Sequence, residues 1–350
     1  MKKLLLGAGV LVVAVAIFAV KTLHDAGQFK QLQPHSQGRC VPVSGMVGAE
    51  DITFHPSLGY AYVSSDDRRA TMAGKPVPGG IYRFDPTGAT PPTLLTGDFS
   101  PDFHPHGISL YVAPDGVQTL YAVNHTSKGN TIERFEVGAD GKFVHRQTLR
   151  DTRLVSPNDL VAMDAERFYV TNDHGNPPGA KQVLEDYLQL AQGNVLYYDG
   201  QRFQEVIHGT AFANGINRSA DGRTVYVTES IGKSLTIFDR DPATGALTRV
   251  HTVPLDSGVD NIELDAQGDL WIAAHPKLFD FVAHQEDPTG TRRAPSQVLR
   301  VQRKDQDYVV SEVFLDDGQK TSAAATAAVY GKHLLLGPVY DKDLLACELP

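Results

Sequence analysis

The sequence predicts an all-β fold, a six-bladed β-propeller preceded by a hydrophobic N-terminal helix. A short strand phrase recurs six times, and a second strand phrase follows most of its copies. The first phrase is a small turn, then alternating aromatic and β-branched residues, then a polar end. It occurs at Gly59–Asp67, Val117–His125, Glu166–Asp173, Gly222–Ser230, Gly268–Pro276 and Lys332–Tyr340. The second occurs at Ile81–Pro86, Thr131–Val137, Asn194–Gly200, Ser234–Arg240 and Val298–Gln302. Period-2 alternation bounded by Gly, Asp and Pro marks strands. Repetition at blade length marks a propeller. No blade can bury its own faces, so the six are expected to form one domain over residues 40–350. The composition agrees: 41% apolar, 21% charged, with 32 Gly and 21 Pro, is that of a globular, turn-rich chain.

One segment departs from the strand pattern. Lys181–Gln192 carries Val183, Leu184, Tyr187, Leu188 and Leu190 at helical spacing. It reads either as a surface helix packed on the propeller rim or as a helix over the site, touching membrane or substrate.

The N-terminus is a separate object. Lys2 and Lys3 precede an apolar run from Leu4 to Val20, closed by Lys21. A basic flank ahead of such a run suits a signal peptide or a signal anchor over residues 1–21. A linker is expected over 22–39. Ala14-Val15-Ala16 resembles a cleavage site but lies inside the run, which favours an uncleaved anchor. The chain is therefore expected to be exported, either periplasmic or membrane-anchored, and otherwise secreted. Its partners are expected to be small molecules and a membrane surface, and the apolar rim helix leaves room for a homodimer. A net charge of −9 with no run of Lys and Arg excludes nucleic acid. The two cysteines, Cys40 and Cys347, sit near the two ends of the domain. An even count in an exported chain suggests a disulfide closing the ring; two unrelated buried thiols are the alternative.

Acids and amides cluster beside apolar strand-like stretches: Glu50-Asp51 in GAEDITF, Asn158-Asp159 in SPNDLVAM, Asn214 in FANGIN and Asp260-Asn261 in VDNIELD. A propeller brings the inner strands of all blades around one channel. Oxygens converging there suit a hard cation, and Ca²⁺ takes six to eight of them. No Cys/His cluster points to zinc. Taken singly, each pair could equally be an Asx turn or a strand cap. Histidines form a second set. His104 and His106 precede Gly107, while His125, His174 and His275 lie at or beside the polar ends of three phrases. An imidazole beside a Lewis-acidic cation can take a proton from water; His104 and His275 read more readily as structural.

As a set, GAEDI, FHPHGIS, VNH, SPNDLVA, FYVTNDH, FANGIN, VDNIELD, DLWIAAHP and AAVYGKHLLLG resemble the paraoxonase/arylesterase family, in order from about Cys40 to Cys347. The resemblance implies two calcium ions in a central tunnel. The catalytic one would be held by Glu50, Asn158, Asn214, Asp260 and Asn261. The structural one would be held by Asp51, Asp159 and the backbone carbonyl of Ile108. It implies a His106–His125 pair that activates water, with Asp260 as the alternative base, and a pocket that includes Asp173, His174 and Phe212. Cys40 and Cys347 match the family disulfide. The implied activity is hydrolysis of lipophilic lactones, acyl-homoserine lactones among them, with arylesterase and phosphotriesterase side activity. The alternatives are a gluconolactonase-like sugar lactonase, a strictosidine-synthase-like enzyme, and a non-catalytic propeller pinned by calcium. Asp66–Gly80 and Lys277–Arg293 depart from the animal enzymes, which leaves substrate choice open.

Overall fold

A computed structural model describes residues 2–88, 90–138, 141–305 and 307–350. Lys2 and the first part of the apolar run, Leu4–Ala8, lie outside the described side chains. Six antiparallel sheets follow one another around an axis. Their innermost strands are Asp51–Phe54, Pro105–Val112, Pro157–Ala162, Ala213–Arg218, Gly258–Leu264 and Ala324–Tyr330, here the inner strands of blades 1 to 6. Each inner strand touches the next, and that of blade 6 touches that of blade 1, so the ring is closed.

Strand alternation explains the core. Successive side chains point to opposite faces of a sheet, and in a propeller both faces meet another blade. In the second strand of blade 3, Phe168–Asn172, Phe168 and Val170 pack against Tyr121 and Val123 of blade 2. Tyr169, between them, packs against Val225 and Val227 of blade 4. Six apolar clusters occupy the six gaps between neighbouring blades.

The start of the domain closes the ring. Arg39–Ser44 is the outermost strand of blade 6, paired with Asp343–Glu348 near the C-terminus. Cys40 and Cys347 are register partners in that pair and form the disulfide. The bridge thus lies within the closing blade and links residues 307 apart in sequence; loop entropy makes it worth roughly 5 kcal/mol. The segment expected as a linker, 22–39, includes a short strand, His35–Ser36, that adds a fifth strand to blade 5.

Four helices accompany the propeller. α1 (Lys2–Asp25) carries the apolar leader; its side chains Val10 to Val20 are exposed. Among the described residues no helix is long and apolar enough to cross a membrane. α2 (Arg68–Met72) is capped by Asp67, whose side chain accepts the Ala70 N–H. α3 (Ala180–Tyr187) is the helix expected within blade 3, shorter at its C-terminal end because Gln189 adopts φ 54°. α4 (Leu278–Gln285) follows blade 5's second strand. α2 and α4 lie in the two divergent loops, and Arg69 of α2 latches them by donating to the Asp287 and His284 carbonyls.

Candidate functional site

Every predicted metal-ligating side chain sits at the start of an inner strand, and in blades 2 to 5 the ladder there is broken in the same way. In blade 2, Pro105 pairs with Asn124 and Ile108 with Ala122, so His106-Gly107 oppose one residue. The same two-against-one bulge frees Asn158-Asp159 in blade 3, Asn214-Gly215 in blade 4 and Asp260-Asn261 in blade 5. In blade 1, Glu50-Asp51 stand where the strand begins. A bulge re-aims side chains. Here it turns one residue of each pair toward an upper cavity of about 560 Å³, lined by Glu50, His106, Asn158, Asn214 and Asp260. A second cavity, of about 1030 Å³, opens at the other end of the inner strands and is lined by Asp159 and Glu263.

Gly107 and Gly215 hold the waist between the two. A Cβ on Gly107 would lie 2.5 Å from Asp159 Cα, and one on Gly215 2.7 Å from Asn261 Cα. Neither residue needs an unusual φ; close approach of neighbouring blades excludes a side chain there. Thr171 and Thr228, each opposite a bulge, tie neighbouring loops together. They donate to the carbonyls of Asn214 and Asp260, at 2.7 and 2.6 Å.

The upper oxygens are oriented by partners elsewhere. Asn158 Nδ2 donates to Asp173 at 3.2 Å, Asn214 Nδ2 to Ser230 at 3.0 Å, and Asn261 Nδ2 to Glu50 Oε1 at 2.9 Å. With the nitrogens committed, Asn158 Oδ1, Asn214 Oδ1, Asn261 Oδ1 and Glu50 Oε2 are buried without a protein partner. Each such atom costs about 1–3 kcal/mol when unsatisfied. Four oxygens of this kind are a donor set for a hard cation of the calcium type. Among the described residues no three His, Cys, Asp or Glu side chains group as a metal cluster, and the upper set differs in kind, being two carboxylates and three amides. Asp260 Oδ2 lies 2.7 Å from His275 Nε2. His275, read as structural from sequence, thus orients a predicted ligand.

The lower carboxylates are held by backbone. Asp51 accepts the N–H groups of Ile52 and Ile108, at 2.8 and 2.7 Å. Asp159 accepts those of Leu160 and Ile216, at 2.7 and 2.8 Å. Burial, and then Glu50, push the Asp51 carboxyl up to about 8. Burial and Asp51 push Asp159 well above the usual range. Burial and their mutual repulsion favour the protonated form of both acids. Glu263 was missed in the sequence; burial and Asp51 raise it as well.

His106 Nε2 lies 3.4 Å from Glu50 Oε1. The His106 and His125 rings stand 5.0 Å apart and perpendicular. His125 lies behind His106, since only His106 lines the cavity. Burial and then His106 lower the His125 imidazole to about 4, so it is neutral near pH 7. His174 bridges Asp173 and Asp186 of α3, at 2.7 and 2.9 Å. Those two bonds outweigh the opposing effect of burial and raise it to about 10. Phe212, at φ 64°, packs edge-on against His174 and lines the cavity. The structure therefore brings Asp173, His174 and Phe212 together at the wall of the upper cavity. His104 pairs instead with Asp66, at 2.8 Å. Arg68, also missed, donates to the carbonyls of Gly48, Pro105 and Val339, which pins the loops carrying Glu50 and His106. The cavity roof is apolar, with Val183 and Tyr187 from α3 and Leu278, Phe279, Phe281 and Val282 from α4.

Comparison with known proteins gives a consistent picture. A family model described as Arylesterase matches residues 78–349. The chain is 34% identical to serum paraoxonase/arylesterase 1 of Homo sapiens, covering 91% of each chain. It is 32% identical to serum paraoxonase/arylesterase 2 of Gallus gallus, over 98% of this chain and 99% of that one. It is also 32% identical to serum paraoxonase/lactonase 3 of Oryctolagus cuniculus, over 97% of each. Among solved structures, the calcium-binding protein regucalcin from Agrobacterium tumefaciens superposes with a TM-score of 0.53 at 16% identity, over 90% of this chain and 94% of that one. The periplasmic gluconolactonase of Pseudomonas aeruginosa superposes with a TM-score of 0.51 at 17% identity, over 86% and 89%. Likeness at that level speaks for the shared fold alone.

Proposed function

The chain belongs to the paraoxonase/arylesterase family, and on that premise we propose that it is a calcium-dependent hydrolase of lactones and aryl esters. The observation that carries the metal is the set of four buried, partnerless oxygens on Glu50, Asn158, Asn214 and Asn261. These residues and Asp260 would hold the catalytic calcium. Asp51, Asp159 and the Ile108 carbonyl would hold a structural one. The catalytic ion, when bound, supplies a Lewis acid that polarises the substrate carbonyl and stabilises the developing oxyanion.

The protein's own residues do the rest. His106, at the cavity wall, takes a proton from the attacking water. His125, neutral and behind it, assists by holding the His106 ring. Asp260, held by His275, is the base if the pair is not. The apolar roof from α3 and α4 excludes water and favours lipophilic lactones, such as long-chain acyl lactones, over polyhydroxylated sugar lactones. Phosphotriesters would be a side activity. The exposed apolar residues of α1 and of Val183, Leu184, Tyr187 and Leu188 support export and association with a membrane surface.

The test is hydrolysis of acyl lactones, sugar lactones and phenyl acetate before and after chelation. Acyl-lactone and aryl-ester turnover should vanish with EDTA and return with Ca²⁺. Calcium-dependent melting without hydrolysis of any ester would instead identify a binding module.

A further inference from the structure

We propose that Asn130 is a positioning residue for the proposed reaction, holding His125 in one tautomer so that its free nitrogen is the one available to His106. The inference rests on reading the His pair as the base. Asn130 opposes His125 across a tight hairpin, and the flanking residues Thr126 and Gly129 also pair. Asn130 Oδ1 lies 2.8 Å from His125 Nδ1. On its own, that distance leaves the direction of the hydrogen bond open, because an amide can present either end. The other end decides it. Asn130 Nδ2 donates to the carbonyls of Leu154 and Val155, both at 3.1 Å. Both amide hydrogens are therefore used, and a flipped amide would set an oxygen against two carbonyls.

The atom facing His125 must then be the carbonyl oxygen, which only accepts. His125 Nδ1 carries the proton, and Nε2, on the other edge of the ring, keeps its lone pair. That leaves the neutral ring with a bare nitrogen through which it can orient His106 as an acceptor. Leu154 and Val155 also lead into the inner strand of blade 3, two residues ahead of Pro157 and the Asn158-Asp159 bulge. The same amide thus ties the His pair to the loop that carries a predicted ligand. Removing an orienting partner of an imidazole leaves the ring in place but lets the tautomers mix.

The experiment is ¹⁵N NMR of the calcium-loaded, full-length chain labelled at histidine, with steady-state kinetics on one acyl lactone, for wild type, Asn130→Ala and Asn130→Asp. Wild type should show His125 protonated at Nδ1 and bare at Nε2. Asn130→Ala should show a mixture, with kcat down about 10-fold and KM little changed. Asn130→Asp keeps the acceptor facing Nδ1 and should retain the Nδ1–H tautomer and part of kcat, at a cost in stability because its second oxygen meets the Leu154 and Val155 carbonyls; if neither variant folds, the wild-type tautomer carries the test. A wild-type His125 protonated at Nε2 overturns the proposal, as does an alanine variant with unaltered tautomer and kcat. Full turnover in His106→Gln would instead refute the His pair as base, and the tautomer result would stand apart from it.

Discussion

The upper and lower ends of the tunnel draw on adjacent residues at the starts of the inner strands, yet they treat charge in opposite ways. Above, amide nitrogens are committed sideways to Asp173, Ser230 and Glu50, which leaves buried oxygens bare. Below, Asp51 and Asp159 each receive two backbone N–H groups, one from their own strand and one from the next blade. The lower acids therefore staple blade 1 to blade 2 and blade 3 to blade 4. The upper oxygens hold nothing in the protein together. A site whose donors are left bare can exchange ligands, and a site whose donors hold the scaffold cannot give them up without loosening it.

This contrast can be broken experimentally. The largest effect is expected below: Asp159→Ala leaves the Leu160 and Ile216 N–H groups without their acceptor and should cost about 2–6 kcal/mol. Chemical denaturation measures it, and an unchanged midpoint would erase the distinction between the two ends. Next, His106→Gln should lower lactone turnover about 10²-fold while leaving the melting temperature within a degree or two. A matching loss of stability would make His106 part of the scaffold. Asp173→Asn, which loosens the grip on Asn158, should lower calcium affinity or activity about 10-fold to 100-fold, read by calorimetric calcium titration.

A pH dependence tests the lower end by itself. The Asp51 carboxyl sits near 8 in the metal-free fold and near 4 in an unfolded chain. The folded state then binds more protons, so metal-free stability should fall as pH rises between those values. Calcium replaces the proton, so the gain in melting temperature on adding Ca²⁺ should grow from pH 5 to pH 8. A gain independent of pH would mean that these acids do not meet the ion.

Much of this was legible in the chain. Phrase repetition and alternation marked the blades, because both are local consequences of a strand buried on two faces. The acid and amide pairs were visible beside their strands. Asn130 was within reach too, since His125 and Asn130 flank a hairpin with a two-residue loop. Other features were not. Arg68 lies in a divergent loop with no repeat to anchor it. His275 looked like a core histidine until Asp260 was found against it. Glu263 continues an ordinary strand alternation, and only burial beside Asp51 sets it apart.

The sequence by itself determined the six-bladed ring, the closing cysteines and the roster of oxygen-bearing residues. Each of these depends on neighbours along the chain or on residue type. Tertiary structure alone decided which atom of each residue faces the tunnel. Asn261 keeps its oxygen free of protein partners because its nitrogen meets Glu50, 211 residues away, and Asp159 reaches the lower cavity beside a glycine of the preceding blade that leaves room for it. Orientation is set by partners from other blades, and those partners exist only once the ring has closed.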